Sequence, residues 1–77
     1  MLQNKFVYDL APKVLGKNEF EGESGYAVSV RKNWAGDFCL QVFWDNGGED
    51  YASLENLEMP VFLYRVIQTM QKEDESV

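Results

Sequence analysis

The side chains able to do chemistry in this 77-residue chain are thirteen carboxylates, seven lysines and arginines and a single thiol, without one histidine. In the absence of imidazole, general-base work would fall to a carboxylate or lysine whose pKa is strongly shifted. Glu49 and Asp50 are the closest carboxylate pair of interest, but adjacent residues of a strand point to opposite faces and do not converge. Cys39 is the only cysteine, so it has no internal disulfide partner, and one thiol without imidazole cannot complete a zinc ligand set. It lies in an alternating apolar segment with no cation on its own strand, the environment of a buried structural thiol. Asn46-Gly47-Gly48 is too short, and too acidic in its surroundings, to cradle phosphate and reads as a turn. No nucleophile–base pair, metal set or cofactor loop emerges, and a domain this small has little room for a pocket. The expectation is a protein that is not an enzyme and uses no cofactor.

The distribution of charge is more informative than the formal net charge of −6. Lys5, Lys13 and Lys17 make the first segment mildly basic. Between Lys32 and Arg65 no cation occurs, while that interval carries Asp37, Asp45, Glu49, Asp50, Glu55 and Glu58. Glu19, Glu21 and Glu23 precede it, and Glu73, Asp74 and Glu75 follow. If 19–23 were extended, its three glutamates would recur every ~6.7 Å on one side of a strand. Such an anionic face repels phosphate backbones and attracts basic protein surfaces. Glu19, Glu21, Glu23, Asp45, Glu49, Asp50, Glu55 and Glu58 are therefore the candidate partner-binding residues.

These residues need a scaffold, and hydrophobic periodicity supplies one. Tyr26, Val28 and Val30 alternate with polar or small residues, as do Phe38, Leu40, Val42 and Trp44, which predicts a β-hairpin over 26–45. A three-residue loop Trp34-Ala35-Gly36 with Gly36 in the left-handed region sets Val30 opposite Leu40, Val28 opposite Val42 and Tyr26 opposite Trp44. Asn46-Gly47-Gly48 turns the chain into a third strand near 50–54. From about 58 to 72, Met59, Phe62, Leu63, Val66, Ile67 and Met70 form one helical stripe, with Pro60 in the first turn. That stripe covers the apolar sheet face and leaves Val61 and Tyr64 outside. The fold class is α+β: a three-stranded antiparallel sheet, a C-terminal amphipathic helix and a short N-terminal element. That element is read as a helix from Asp9 to Gly16, with an edge strand at Phe6–Leu10, stopped by Pro12, as the alternative.

The length allows one domain over 1–77. A chain this small has a marginal core, and with no disulfide or metal it must rely on dense aromatic packing or oligomerisation. The N-terminal residues lack the apolar run of a secretion signal, no segment is long enough to span a membrane, and a free thiol suits a reducing compartment, so a cytoplasmic location is expected.

Apolar side chains left without cover point to binding. Phe43, with Cys39 and Ala27, would line the sheet face away from the helix, and Trp34 would sit at a hairpin tip where tryptophan often anchors an interface. Trp34, Phe43, Val61 and Tyr64 are accordingly the candidate partner or dimer contacts. The leading expectation is an acidic regulatory module that binds a protein with a basic surface, in its sharpest form by imitating nucleic acid. In size, charge and layout the chain resembles small acidic phage proteins that inhibit restriction or CRISPR machinery, a resemblance of general character carried by no motif. The alternative is a homodimer binding single-stranded nucleic acid through sheet aromatics. Val28-Ser29-Val30-Arg31 entering a glycine-containing hairpin, followed by sheet and a long C-terminal helix, is faintly similar to the single-stranded-DNA-binding transcriptional coactivators. That family dimerises through its helix and binds DNA on a curved sheet. Only Arg31 and Lys32 offer paired cations here, so direct nucleic-acid binding ranks below protein binding. A purely structural assembly subunit is the third reading.

Overall fold

The computed structural model describes residues 11–75. Five strands, β1 (Lys13–Gly16), β2 (Ser24–Lys32), β3 (Phe38–Trp44), β4 (Glu49–Ser53) and β5 (Leu57–Glu58), are followed by one helix, α1 (Val61–Glu75). The strands form one sheet in the order β4-β3-β2-β1-β5, with every pairing antiparallel. Single 3-10 turns at Asn18–Phe20 and Leu54–Asn56 join β1 to β2 and β4 to β5.

The fold is α+β as expected, but the sheet has five strands rather than three. The first additional strand lies in the segment read as the N-terminal helix, and the second, Leu57–Glu58, at the expected start of the C-terminal one. Residues 13–16 pair with β2 on one side and β5 on the other, with Val14 turned inward and Lys13 and Leu15 outward. The Pro12 carbonyl accepts the Ala27 amide at 2.9 Å, so pairing with β2 begins at the proline itself. Four residues are too few for local periodicity to separate a strand from a helical turn, and cross-strand bonding decides it. The Phe6–Leu10 edge strand and the Asp9 cap lie outside the described residues.

At the other end, Leu57 and Glu58 pair with Gly16 and Leu15, which delays the helix to Val61. The Pro60 carbonyl accepts the Leu63 and Tyr64 amides at 3.1 and 3.2 Å, making Pro60 the residue at the helix's threshold. Leu63 and Ile67 are completely buried, while Met59, Val66 and Met70 pack against the core from its margin. Phe62, expected in the buried stripe, is 42% exposed. A helix over a small sheet buries a narrower band than a full apolar stripe, and Phe62 falls beyond its edge.

The hairpin of β2 and β3 closes as predicted at its tip and differs at its base. Asn33 and Asp37 bracket the three-residue loop, Gly36 has φ +92°, and Val30 faces Leu40. A β-bulge between Ala27 and Ser29 then shifts the register by one residue. Beyond it Ala27 faces Val42, and Tyr26 faces Phe43 rather than Trp44. A one-residue slip moves every later side chain to the other face. Ala27 is therefore in the core, Tyr26 is on the outer face, and Val28 is only half-buried. The second turn repeats the chemistry of the first: Trp44 and Gly48 bracket Asp45-Asn46-Gly47, with Gly47 at φ +101°. The core joins Val14, Ala27, Val30, Leu40, Val42, Trp44, Ala52 and Leu57 of the sheet to Leu63 and Ile67 of α1.

Candidate functional site

The loop between β1 and β2 carries three of the candidate carboxylates, Glu19, Glu21 and Glu23. Its extended reading is overturned, because Asn18–Phe20 is a 3-10 turn with Asn18 at φ +57°, and Gly22 follows at φ +91°. Glu19, Glu21 and Glu23 therefore do not form a regular row along a strand. The cause is Phe20: its ring packs on Trp44 at 5.4 Å between centroids, and the backbone must curl to bring it inward. Glu19 and Glu21 flank this anchor and are both exposed.

Hydrogen bonds from this loop reach the two other acidic segments. On one side the Glu23 carboxylate accepts the Asn46 side-chain amide at 2.9 Å, and the Ser24 hydroxyl donates to the Asp45 carboxylate at 2.6 Å. On the other side the Asn18 side-chain amide donates to the Glu55 carbonyl at 3.3 Å and to the Asn56 side-chain oxygen at 2.9 Å, while the Lys17 amide donates to the Asn56 carbonyl. Glu58 lies directly opposite Leu15, and Leu15 opposite Ser24. Segments 19–23, 45–50 and 55–58, remote in sequence, thus meet around one loop.

Within this group the carboxylates differ in how they are held. Lys13 lies 3.4 Å from Asp45, with both side chains about half exposed. The Ser24 hydrogen bond does most to hold the Asp45 carboxyl below the usual aspartate range; partial desolvation opposes it and the Lys13 ammonium adds to it. Glu49 accepts the Gln41 side-chain amide at 2.7 Å, and Asp50 accepts the Trp44 indole N–H at 2.8 Å. Glu49 and Asp50 do point to opposite faces, one toward the outer face and one toward the rim of the core. Glu19, Glu21, Glu55 and Glu58 present exposed side chains to solvent.

The apolar candidates are spread over three elements. Trp34 at the tip of the β2–β3 turn is 100% exposed. The turn beneath it is fixed, since the Asn33 side-chain oxygen accepts the Ala35 and Asp37 amides at 3.0 and 2.9 Å. Val61 and Tyr64 are exposed on α1. Phe43 lies on the outer sheet face, where Tyr26 and Tyr51 join it instead of Ala27. Sequence reading missed Tyr26, Tyr51 and Lys13 as its companions because the bulge that turns Tyr26 outward leaves no mark in the alternation of 24–32. Cys39 is on this face too but buried; burial raises its thiol pKa and Arg31, directly across the strand pair, partly offsets this.

Among the described residues, no group of three carboxylate or thiol side chains is arranged to hold a metal ion. The groove beside the β2–β3 turn, lined by Gly36, Asp37, Phe38, Ser53, Leu54 and Glu55, is open and mostly polar, with no converging catalytic pair. No described helix is long and apolar enough to cross a membrane. Fold and site together define a small α+β domain in which three acidic segments, 19–23, 45–50 and 55–58, meet around one loop of an antiparallel sheet. No family model matches the chain, and no curated protein or solved structure matches it either.

Proposed function

We propose that this chain is a protein-binding regulatory module of the cytoplasm that docks its acidic end onto a basic surface. In its most specific form the acidic end stands in for a phosphate backbone and occupies the site of a DNA- or RNA-handling protein. The reading involves no catalytic step and no cofactor. The observation that carries it is the convergence of segments 19–23, 45–50 and 55–58 around the β1–β2 loop, held by the Glu23–Asn46, Ser24–Asp45 and Asn18–Glu55 hydrogen bonds. Side chains and loops already held in place lose less entropy on docking than free ones. Among the described residues, Lys13 beside Asp45 and Lys17 beside Asn56 dilute the negative potential there, and complementary potentials speed encounter and select against like-charged partners.

The test is a pull-down with tagged protein from nuclease-treated bacterial lysate, eluted with a salt gradient. Recovery of a nucleic-acid-handling protein released by moderate salt is the expected result, because exposed charge contacts are screened within about 10 Å at 0.1 M. Reversal of Glu19, Glu21, Glu55 and Glu58 to lysine, positions chosen because their side chains are exposed, should abolish that capture. Retention of the same partner by the four-fold variant at low salt sinks the reading.

The outer-face aromatics Tyr26, Phe43 and Tyr51 favour a second reading, stacking of single-stranded nucleic acid beside Lys13 and Arg31. Glu49 and Asp45 at the same end of that face work against it, since they oppose phosphate. Retention of nucleic acid when nuclease is omitted, with no protein captured, would favour this second reading over the first.

A further inference from the structure

One row of the outer sheet face is complementary to itself. Crossing β4, β3, β2 and β1, it reads Glu49, Phe43, Tyr26 and Lys13, each residue directly opposite the next. An acid stands at one end, a base at the other, and two aromatic rings between them. Phe43 and Tyr26 are 45% and 44% exposed, and Tyr51, diagonal to Phe43, is 59% exposed. For rings of this size these are large apolar areas left open to solvent. Both charged ends are held in place: the Lys13 ammonium lies 5.2 Å from the centre of the Tyr26 ring, and Glu49 accepts the Gln41 amide at 2.7 Å.

We propose that a second copy of this chain covers this face as a two-fold dimer. Let two such faces meet, with the symmetry axis between them, parallel to the strands and midway between β2 and β3. Rotation then carries Glu49 of one chain over Lys13 of the other and Phe43 over Tyr26, twice. The row spans about 14 Å, from strands about 4.8 Å apart, so both contacts form at once in aligned sheet packing. An isologous interface requires a patch that complements itself, which an acid–ring–ring–base row does. The rings supply desolvated aromatic contact at the centre, and the charge pairs at the rim fix register and exclude the reversed arrangement. A nucleic-acid strand on this face would meet Glu49 and Asp45, which repel it. The dimer goes beyond the acidic-end reading and does not depend on it.

Sedimentation equilibrium from about 1 μM to about 1 mM tests the proposal across the range of weak to moderate dimers. The wild-type protein should pass from the 8.9 kDa of one chain to twice that mass. Lys13→Glu and Glu49→Lys should each weaken self-association at least tenfold, because each homodimer then holds two like-charge pairs. An equimolar mixture of the two variants should dimerise again, since the heterodimer restores an opposite pair at both rims. A wild-type protein that stays at monomer mass throughout overturns the proposal, as does a mixture no more associated than either variant alone. Lys13 also pairs with Asp45, so its reversal can disturb the fold. Phe43→Asp, at a half-exposed position outside the core, gives an independent reading: a folded monomer by circular dichroism is expected, and wild-type dimerisation by this variant overturns the proposal. Binding of an oligo-dT strand by a wild-type monomer, lost in Phe43→Asp, would assign the face to nucleic acid and overturn it too. Capture of a basic partner in the pull-down is a separate readout, so failure of one idea is distinguishable from failure of the other.

Discussion

The buried indole of Trp44 donates its N–H to the Asp50 carboxylate at 2.8 Å, tying one of the acidic residues to the core rather than to any partner. Trp44 closes the end of the core under Phe20, so this bond fixes the ring that anchors the β1–β2 loop. Asp50→Ala is expected to lower stability by about 1–2 kcal/mol, since it leaves a buried donor without its partner. Asp50→Asn keeps an acceptor and should recover much of that loss. Urea unfolding followed by tryptophan emission measures both, and equal stability of all three proteins would show the bond to be of no consequence.

Asp45 sets part of the acid limb of stability. Its carboxyl is held below the usual range, chiefly by the Ser24 hydroxyl, against an unfolded value near ~3.9. A group whose folded pKa is depressed stabilises the fold fully above the unfolded value and loses that contribution as pH falls through the folded one. Ser24→Ala should raise the Asp45 pKa toward the ordinary range and flatten the dependence of unfolding free energy on pH in that acidic window. A carboxyl-carbon NMR titration reads it directly; an Asp45 midpoint unmoved by Ser24→Ala would refute the assigned cause.

The two faces of α1 should respond very differently to truncation. Leu63 is fully buried in the core, whereas Val61, two residues earlier, is 65% exposed. Leu63→Ala is expected to cost about 2–5 kcal/mol, enough to leave a domain of this size close to unfolded. Val61→Ala should stay within about 0.5 kcal/mol. Thermal melts by circular dichroism separate the two, and a comparable shift in both would mean that the helix packs on a different face.

Cys39 is expected to resist thiol reagents in the folded protein. Burial raises its pKa, and Arg31 across the strand pair lowers it only in part. Modification at mildly alkaline pH should run at least roughly tenfold slower than in denaturant, governed by opening of the β2–β3 pair. Arg31→Ala should raise the thiol pKa further. Labelling of the native protein at the denatured rate would contradict the burial of this residue.

The acidic composition of residues 33–64, the absence of imidazole, both glycine-bearing turns, the Val30–Leu40 pairing and a helix with Leu63 and Ile67 at its centre were all determined by the sequence by itself. Each rests on local chemistry: a glycine tolerates positive φ, alternation makes a strand, and a 3.6-residue period makes a helix. What the tertiary structure alone decided were the relations made across the chain. Lys13–Gly16 is a strand only because it bonds to β2 and β5, and Leu57–Glu58 only because it bonds to β1, and no period can be read from so few residues. The bulge beside Val28 exchanged Tyr26 for Ala27 in the core, because Gly25 and Ala27 rather than bulkier side chains come to lie opposite Trp44 and Val42. The curl of 18–20 under Phe20 turned an expected row of glutamates into a loop around which three distant acidic segments meet. Packing of one aromatic ring and a slip of one residue, both non-local, decided where these side chains ended up.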